Sequence, residues 1–131
     1  IAHADNPLDA TPLATTRQFV EAVEAIIGDD GVDAVVVSAV PDTPALNNLS
    51  PDPTGQHPEN IYSLSSLPQE LIRVFRATNK PIVAAVDSGR LYDDCVVLLE
   101  RAGIPTYRKI DRATRALSRY CEARTLAGRE R

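Results

Sequence analysis

Hydrophobic positions along the chain fall into two periods that alternate. Phe19, Val20, Val23, Ile26 and Ile27 recur at i, i+1, i+4, i+7 and i+8, one stripe of an amphipathic helix. Thr15 followed by Gln18 forms a capping-box pattern at its start, and Gly28 is the expected left-handed stop. "VDAVVVSAV" then reads as a short β-branched strand, apolar on both faces, as in a parallel sheet covered by helices. A second helical stripe runs through Leu67, Leu71, Ile72, Val74 and Phe75, with Ser65 and Ser66 as candidate caps and Asn79 as its stop. "KPIVAAVDSG" gives a strand and turn, "LYDDCVVLLERAG" a helix ending at Gly103, and "IPTYRKI" a short strand. "DRATRALSRYCEAR" is the last helix, capped by Asp111, with Leu117, Tyr120 and Cys121 facing in.

The resulting order is α-β-α-β-α-β-α. Alternation at this spacing requires right-handed crossovers and predicts a doubly wound parallel sheet in three αβα layers. The whole chain, 1–131, reads as a single domain or part of one. Three strands are few for such a sheet, so a first strand–helix unit is expected ahead of the first visible helix. The opening turn "NPLDATPLATT" reads as the second half of a connection to it, and an initial Ile in a chain without Met fits a partial domain. The first connection is unusual. The segment 41–66 carries five prolines, far beyond the usual two to six residues of a βα loop. It reads either as a partner-contacting surface excursion or as disordered chain.

Composition narrows the function classes. Apolar residues make up 44% and charged residues 24%, with a net charge of −4. This balance argues against a nucleic-acid-binding surface, and the arginines after residue 112 alternate with acids and apolar positions as a solvated helix face does. No apolar run is long enough for a membrane span, and no signal peptide is visible. Cys95 and Cys121 sit in helical patterns without a CxxC or paired His, so reduced thiols and a cytoplasmic setting are expected, with a disulfide between them as the alternative.

Ligands of open α/β sheets sit beyond the carboxyl ends of the strands. Here those ends are Pro41 to Pro44, Asp87 to Arg90, and Arg108 to Asp111. The Asp87–Ser88–Gly89 turn could present backbone N–H groups to an anion, although any tight βα turn has the same composition. Asp42, Asp87 and Lys109 invite comparison with a phosphoacceptor site, but the acid pair such a site needs is missing. His3 and His57 have no nucleophile or carboxylate at a telling spacing. No nucleophile elbow, glycine-rich dinucleotide loop, P-loop or metal-ligand cluster is present.

In order and spacing, "NPLDATPLATTRQFVEAVEAIIGDDGVDAVVVSAVP", "NKPIVAAVDSGRLYDD" and "LERAGIPTYRKIDRATRALSRY" resemble the C-terminal flavodoxin-like region of NDP-forming acyl-CoA synthetases. These are relatives of succinyl-CoA synthetase that include acetate–CoA ligases. The resemblance spans nearly all of the chain outside 41–66; that insertion, and Ala10 where an aliphatic is more usual, depart from the pattern. It implies a parent enzyme that makes acyl-CoA from an acid, CoA and ATP by way of an acyl phosphate and a phosphohistidine. CoA, ATP/ADP and magnesium would be bound by other domains of that parent, with no cofactor in this chain. Neither His3 nor His57 inherits the phosphohistidine role, so the chain itself is expected to be non-catalytic. The implied partners are other domains or subunits of the ligase, with homo-oligomers left open. Asn6, Asp9, Asp87, Ser88 and Gly89 are the candidate turn or interface residues. The Asp9 carboxylate is expected to accept backbone N–H bonds, contact with a partner domain being the alternative. The rival reading is a free-standing flavodoxin-like binding or assembly module.

Overall fold

The computed structural model describes residues 6–39, 43 and 45–129. Four helices and three strands alternate as the periodicity predicts: α1 (Thr16–Gly28), β1 (Val35–Ala39), α2 (Leu67–Ala77), β2 (Ile82–Val86), α3 (Asp93–Arg101), β3 (Thr106–Tyr107) and α4 (Ile110–Arg129). A single 3-10 turn, Arg90–Tyr92, precedes α3. The strands form one open parallel sheet in the order β1-β2-β3, with Val35 beside Ile82 and Ala84 beside Thr106.

Side chains alternate between the faces of a strand, and this divides the core in two. Val35, Val37, Ala39, Ile82, Ala84 and Val86 point toward α1, α2 and α3 in the larger cluster. Val83 and Ala85 point the other way, against Ala113 and Leu117 of α4, with Val36 and Tyr107 partly buried beside them. Among the described residues, one face therefore carries α1, α2 and α3 and the other α4. All five residues of the central strand β2 are buried, whereas β1 alternates and leaves Ser38 exposed.

The helix starts follow the sequence closely. Thr15 and Gln18 form a complete capping box on α1. Ser66, fully buried, accepts the Gln69 N–H and donates to the Ile61 carbonyl at 2.7 Å. Several helix ends differ from expectation. Gly28 stays within α1, which ends when Asp29 turns extended (φ −75°, ψ 124°). The released carbonyls of Ile27 and Asp29 are taken by the Lys80 Nζ at 2.8 and 2.7 Å, so a lysine at the entrance to β2 replaces the glycine stop. α2 ends at Ala77 with Thr78 extended, so Asn79 plays no capping part. Asp111 lies inside the first turn of α4, which starts one residue earlier. Tyr120 is 46% exposed, while the expected inward contact is made by Ala113. Gly103 does behave as a stop, at φ +93°, a backbone region open to glycine at little cost.

The excursion between β1 and α2 is packed where it is described. Leu46, Leu49 and Ile61 are buried, as is Asn48. The Glu59 carboxylate accepts the N–H groups of Asn48 (2.8 Å) and Leu49 (3.2 Å), and the Asn47 side-chain carbonyl accepts the Asn60 N–H (2.7 Å). Backbone bonds from Ile61 to Leu49 and from Leu67 to Asn47 close the excursion on itself. Residues 43 and 45–66 thus form a hydrogen-bonded surface excursion.

Candidate functional site at the carboxyl end of the sheet

Parallel strands deliver all their following turns to one end of the sheet. α1 begins at that end as well: the Thr16 N–H donates to the Ala45 carbonyl, and its hydroxyl accepts the Asn47 N–H. The candidate residues thus share one end of the molecule in two groups.

The first group is the turn before α1. The Asn6–Pro7 peptide bond is cis, and the Asp9 carboxylate accepts the Thr11 N–H at 2.8 Å. Thr11 has φ +63°, unusual for a β-branched residue, so the Asp9 bond helps to hold a conformation that the side chain opposes. Asp9 acts here as a turn former, as expected of a short carboxylate two residues before the donor.

The second group is the turn after β2. The Asp87 carboxylate accepts Lys109 Nζ at 2.7 Å, and Arg108 pairs with Asp93 while also donating to the Ser88 carbonyl at 3.4 Å. Ser50, on the excursion, donates to Asp94. Three segments far apart in sequence are thereby tied together: the excursion, the β2–α3 turn and the β3–α4 turn. The Ser88 hydroxyl oxygen is buried and has no hydrogen-bond partner among the described residues. Gly89 has φ −72° and ψ −173°, extended backbone that any residue adopts, and a Cβ there would meet nothing within 4 Å. Neither strain nor close approach demands glycine at that position. No hydrogen bond or ion pair given by the structure joins the Asn6–Asp9 turn to the Asp87–Gly89 turn.

Two of the cations at this end are paired, whereas the exposed Arg90 is in no ion pair among the described residues. Arg108 and Lys109 each face a carboxylate, so an incoming anion would have to displace Asp93 or Asp87. Asp93 and Asp94 also occupy the first turn of α3, where their charge complements the helix dipole and opposes an anion. Ser50 donates directly to a carboxylate with no imidazole between them, which does not make an activated nucleophile. His57 accepts the Glu59 N–H through Nδ1, a structural bond within the excursion. Among the described residues no group of three His, Cys, Asp or Glu side chains could hold a metal ion. His3 and Asp42 lie outside the described residues, and among the described ones Lys109 contacts Asp87.

The cysteines are both free. Cys95 is buried, and burial pushes its thiol up to about 12, opposed weakly by the Arg108 charge. Cys121, on α4, is half-buried. No helix among the described residues is long and apolar enough to cross a membrane.

Sequence reasoning named Arg108 only as the start of a strand end and passed over Asp93, Ser50 and Glu59. A signal existed for the first two: adjacent parallel strands place "RK" after β3 beside "DSGRLYDD" after β2, so opposite charges were bound to meet. Ser50 and Glu59 carry no such signal, because their positions depend on how the excursion folds back.

Neither a protein-family model, nor a curated protein, nor a solved structure matches this chain.

Proposed function

We propose that this chain is the C-terminal α/β module of an NDP-forming acyl-CoA ligase, a module that braces the phosphohistidine-bearing domain and contributes to the subunit interface without carrying the catalytic histidine. The observation that supports this reading best is the outer edge of β1. The Val35 N–H bonds to Pro81 on the β2 side. Pleating therefore turns the N–H and C=O groups of Val36 and Ser38 outward. Val36 is half-buried and Ser38 exposed, and among the described residues only α4 covers that face of the sheet. β1 has no lysine, proline or bulge of the kind that shields the edges of sheets from further pairing. A strand preceding α1 would add here in parallel, with α1 as its right-handed crossover, and would extend the open parallel sheet by one strand.

In this reading CoA, ATP/ADP and magnesium belong to other domains of a cytoplasmic parent, and the surface bearing Asn6, Asp9, Asp87, Ser88 and Gly89 faces them. The paired state of Arg108 and Lys109 suits a bracing role better than a catalytic one. The alternative, a free-standing binding or assembly module, draws support from Tyr62 and Leu64, which are 60% and 85% exposed on a hydrogen-bonded excursion.

Two experiments decide between them. The complete reading frame should encode, ahead of this segment, a glycine-rich strand–loop–helix, a CoA-binding domain and a histidine loop of the SHTG type; their absence sinks the ligase reading. This chain alone, given acid, CoA, ATP and magnesium, should form no acyl phosphate or thioester, and measurable turnover would refute the bracing role.

A further inference from the structure

On the outer side of α4, Arg112, Arg115 and Arg119 recur at i, i+3 and i+7, all exposed. At 3.6 residues per turn they fall within an arc of roughly 60°. That arc lies opposite Ala113 and Leu117, which are buried against the sheet. None of the three guanidinium groups makes an ion pair or hydrogen bond among the described residues, whereas Arg17, Arg73, Arg108 and Lys109 all pair with carboxylates. Glu122, the nearest acid further along α4, accepts the Ser118 hydroxyl instead.

The complementary charge lies at the other end of the molecule. From Val20 to Ala34 the chain carries Glu21, Glu24, Asp29, Asp30 and Asp33 and not one Lys or Arg. Glu21 and Glu24 pair with Arg17 and Arg73, and Asp29 accepts the Gly31 N–H. Asp30 and Asp33 are exposed and in no ion pair among the described residues, the neighbouring Lys80 Nζ being bound to the carbonyls of Ile27 and Asp29. The α1–β1 turn that bears them sits at the amino end of the sheet. The arginine stripe starts just after β3, near the carboxyl end and on the α4 face. Within one molecule the two patches cannot meet.

We propose that they meet between molecules: the Arg112–Arg115–Arg119 stripe of one copy docks on the Asp30–Asp33 turn of a second. The contact pairs unlike patches, and the mass reached at low salt distinguishes a contact made once, in head-to-tail chains, from one made twice, in an antiparallel dimer. Each exposed pair contributes little by itself, so association depends on several pairs acting together and on weak screening. The Debye length shrinks from about 10 Å at 0.1 M salt to about 3 Å at 1 M, which makes the contact strongly salt-sensitive. The inference stands independently of the ligase reading.

Sedimentation velocity on this chain tests it. In dilute buffer of about 0.02 M salt the weight-average mass should rise with protein concentration, and at about 0.5 M it should fall to that of one chain. R112E/R115E/R119E and D30R/D33R should each remain single chains at both salt concentrations. An equimolar mixture of the two should associate again, because each inverted patch then meets its complement. Circular dichroism checks that both variants stay folded, and the single R115E carries the comparison, with at least a several-fold weaker association, if the triple variant does not. Wild-type chain that stays monomeric at low salt overturns the proposal, as does association that the variants leave intact or that mixing fails to restore.

Discussion

Cys95 illustrates how burial decides chemistry at the level of one residue. Its thiol lies under α3 in the larger core cluster, and desolvation raises its pKa from 9.0 to about 12. The protonated thiol is favoured by the folded state, so this contribution to stability is complete below pH 9 and is lost as pH rises through the folded value. Replacing Cys95 with Val should therefore flatten the decline of denaturation midpoints between pH 9 and 12 relative to the native chain; an unchanged decline would assign it to other groups. Iodoacetamide at pH 8 should label Cys121 in the native protein and both cysteines only after denaturation, read by intact mass. Gly103 is a second residue whose identity is dictated locally. An alanine there must adopt φ +93° next to the Phe75 ring, 3.6 Å from the new Cβ, and should cost about 1–2 kcal/mol of stability in urea unfolding. Gly89 to Ala, with an ordinary φ and open space, should cost far less.

Elements here succeed or fail by how local their determinants are. The capping box at Thr15, the Ser66 cap and the two apolar stripes are set within a turn or two of chain, and all were legible. The ends of α1 and α2 were not, since a lysine more than fifty residues away takes the place assigned to Gly28 and an extended Thr78 ends α2 ahead of Asn79. The excursion was the least legible element. Its prolines signal irregular backbone, but its order comes from Glu59 and Asn47 reaching back across ten or more residues. Glu59 to Ala leaves the Asn48 and Leu49 N–H groups without their carboxylate, with Asn48 1% exposed. The expected cost is about 2–3 kcal/mol, with faster amide exchange confined to residues 46–62. Exchange that speeds up across the sheet as well would mean that the excursion is integral to the core and not an attachment to it.

For the molecule as a whole, the alternation of elements in a parallel sheet was legible, while the strand order β1-β2-β3, without a reversal among the described strands, and the uneven covering of the sheet were not. Nothing in the sequence of α4 announces that it covers its face, because among the described residues Ala113 and Leu117 are the only buried apolar side chains of a twenty-residue helix. The same holds for the candidate site: the βα turns were predictable from the strands, but the cross-links Arg108–Asp93 and Ser50–Asp94 were visible only once those turns converged. The open edge makes a prediction of its own. Amides of Val35, Val37 and the whole of β2 should exchange slowly, and those of Val36 and Ser38 orders of magnitude faster, since they point outward from β1. Protection at Val36 and Ser38 in a longer form of the protein would locate an added strand at this edge.

The closure of the excursion carries a further consequence. The Leu67 N–H and the Asn47 carbonyl, 2.8 Å apart, bring the two feet of the segment to within one hydrogen bond of each other. Everything from Asn48 to Ser65 is thus a detour with coincident start and finish, and loop closure makes detour length inexpensive. Lineages can lengthen, shorten or exchange such a segment while β1, α2 and their pairing stay where they are, provided that a Ser66-like cap survives. The part of the proline-rich stretch beyond Leu49 can in that sense vary in length, while Leu46 and Leu49 belong to the core that the stretch leaves and rejoins.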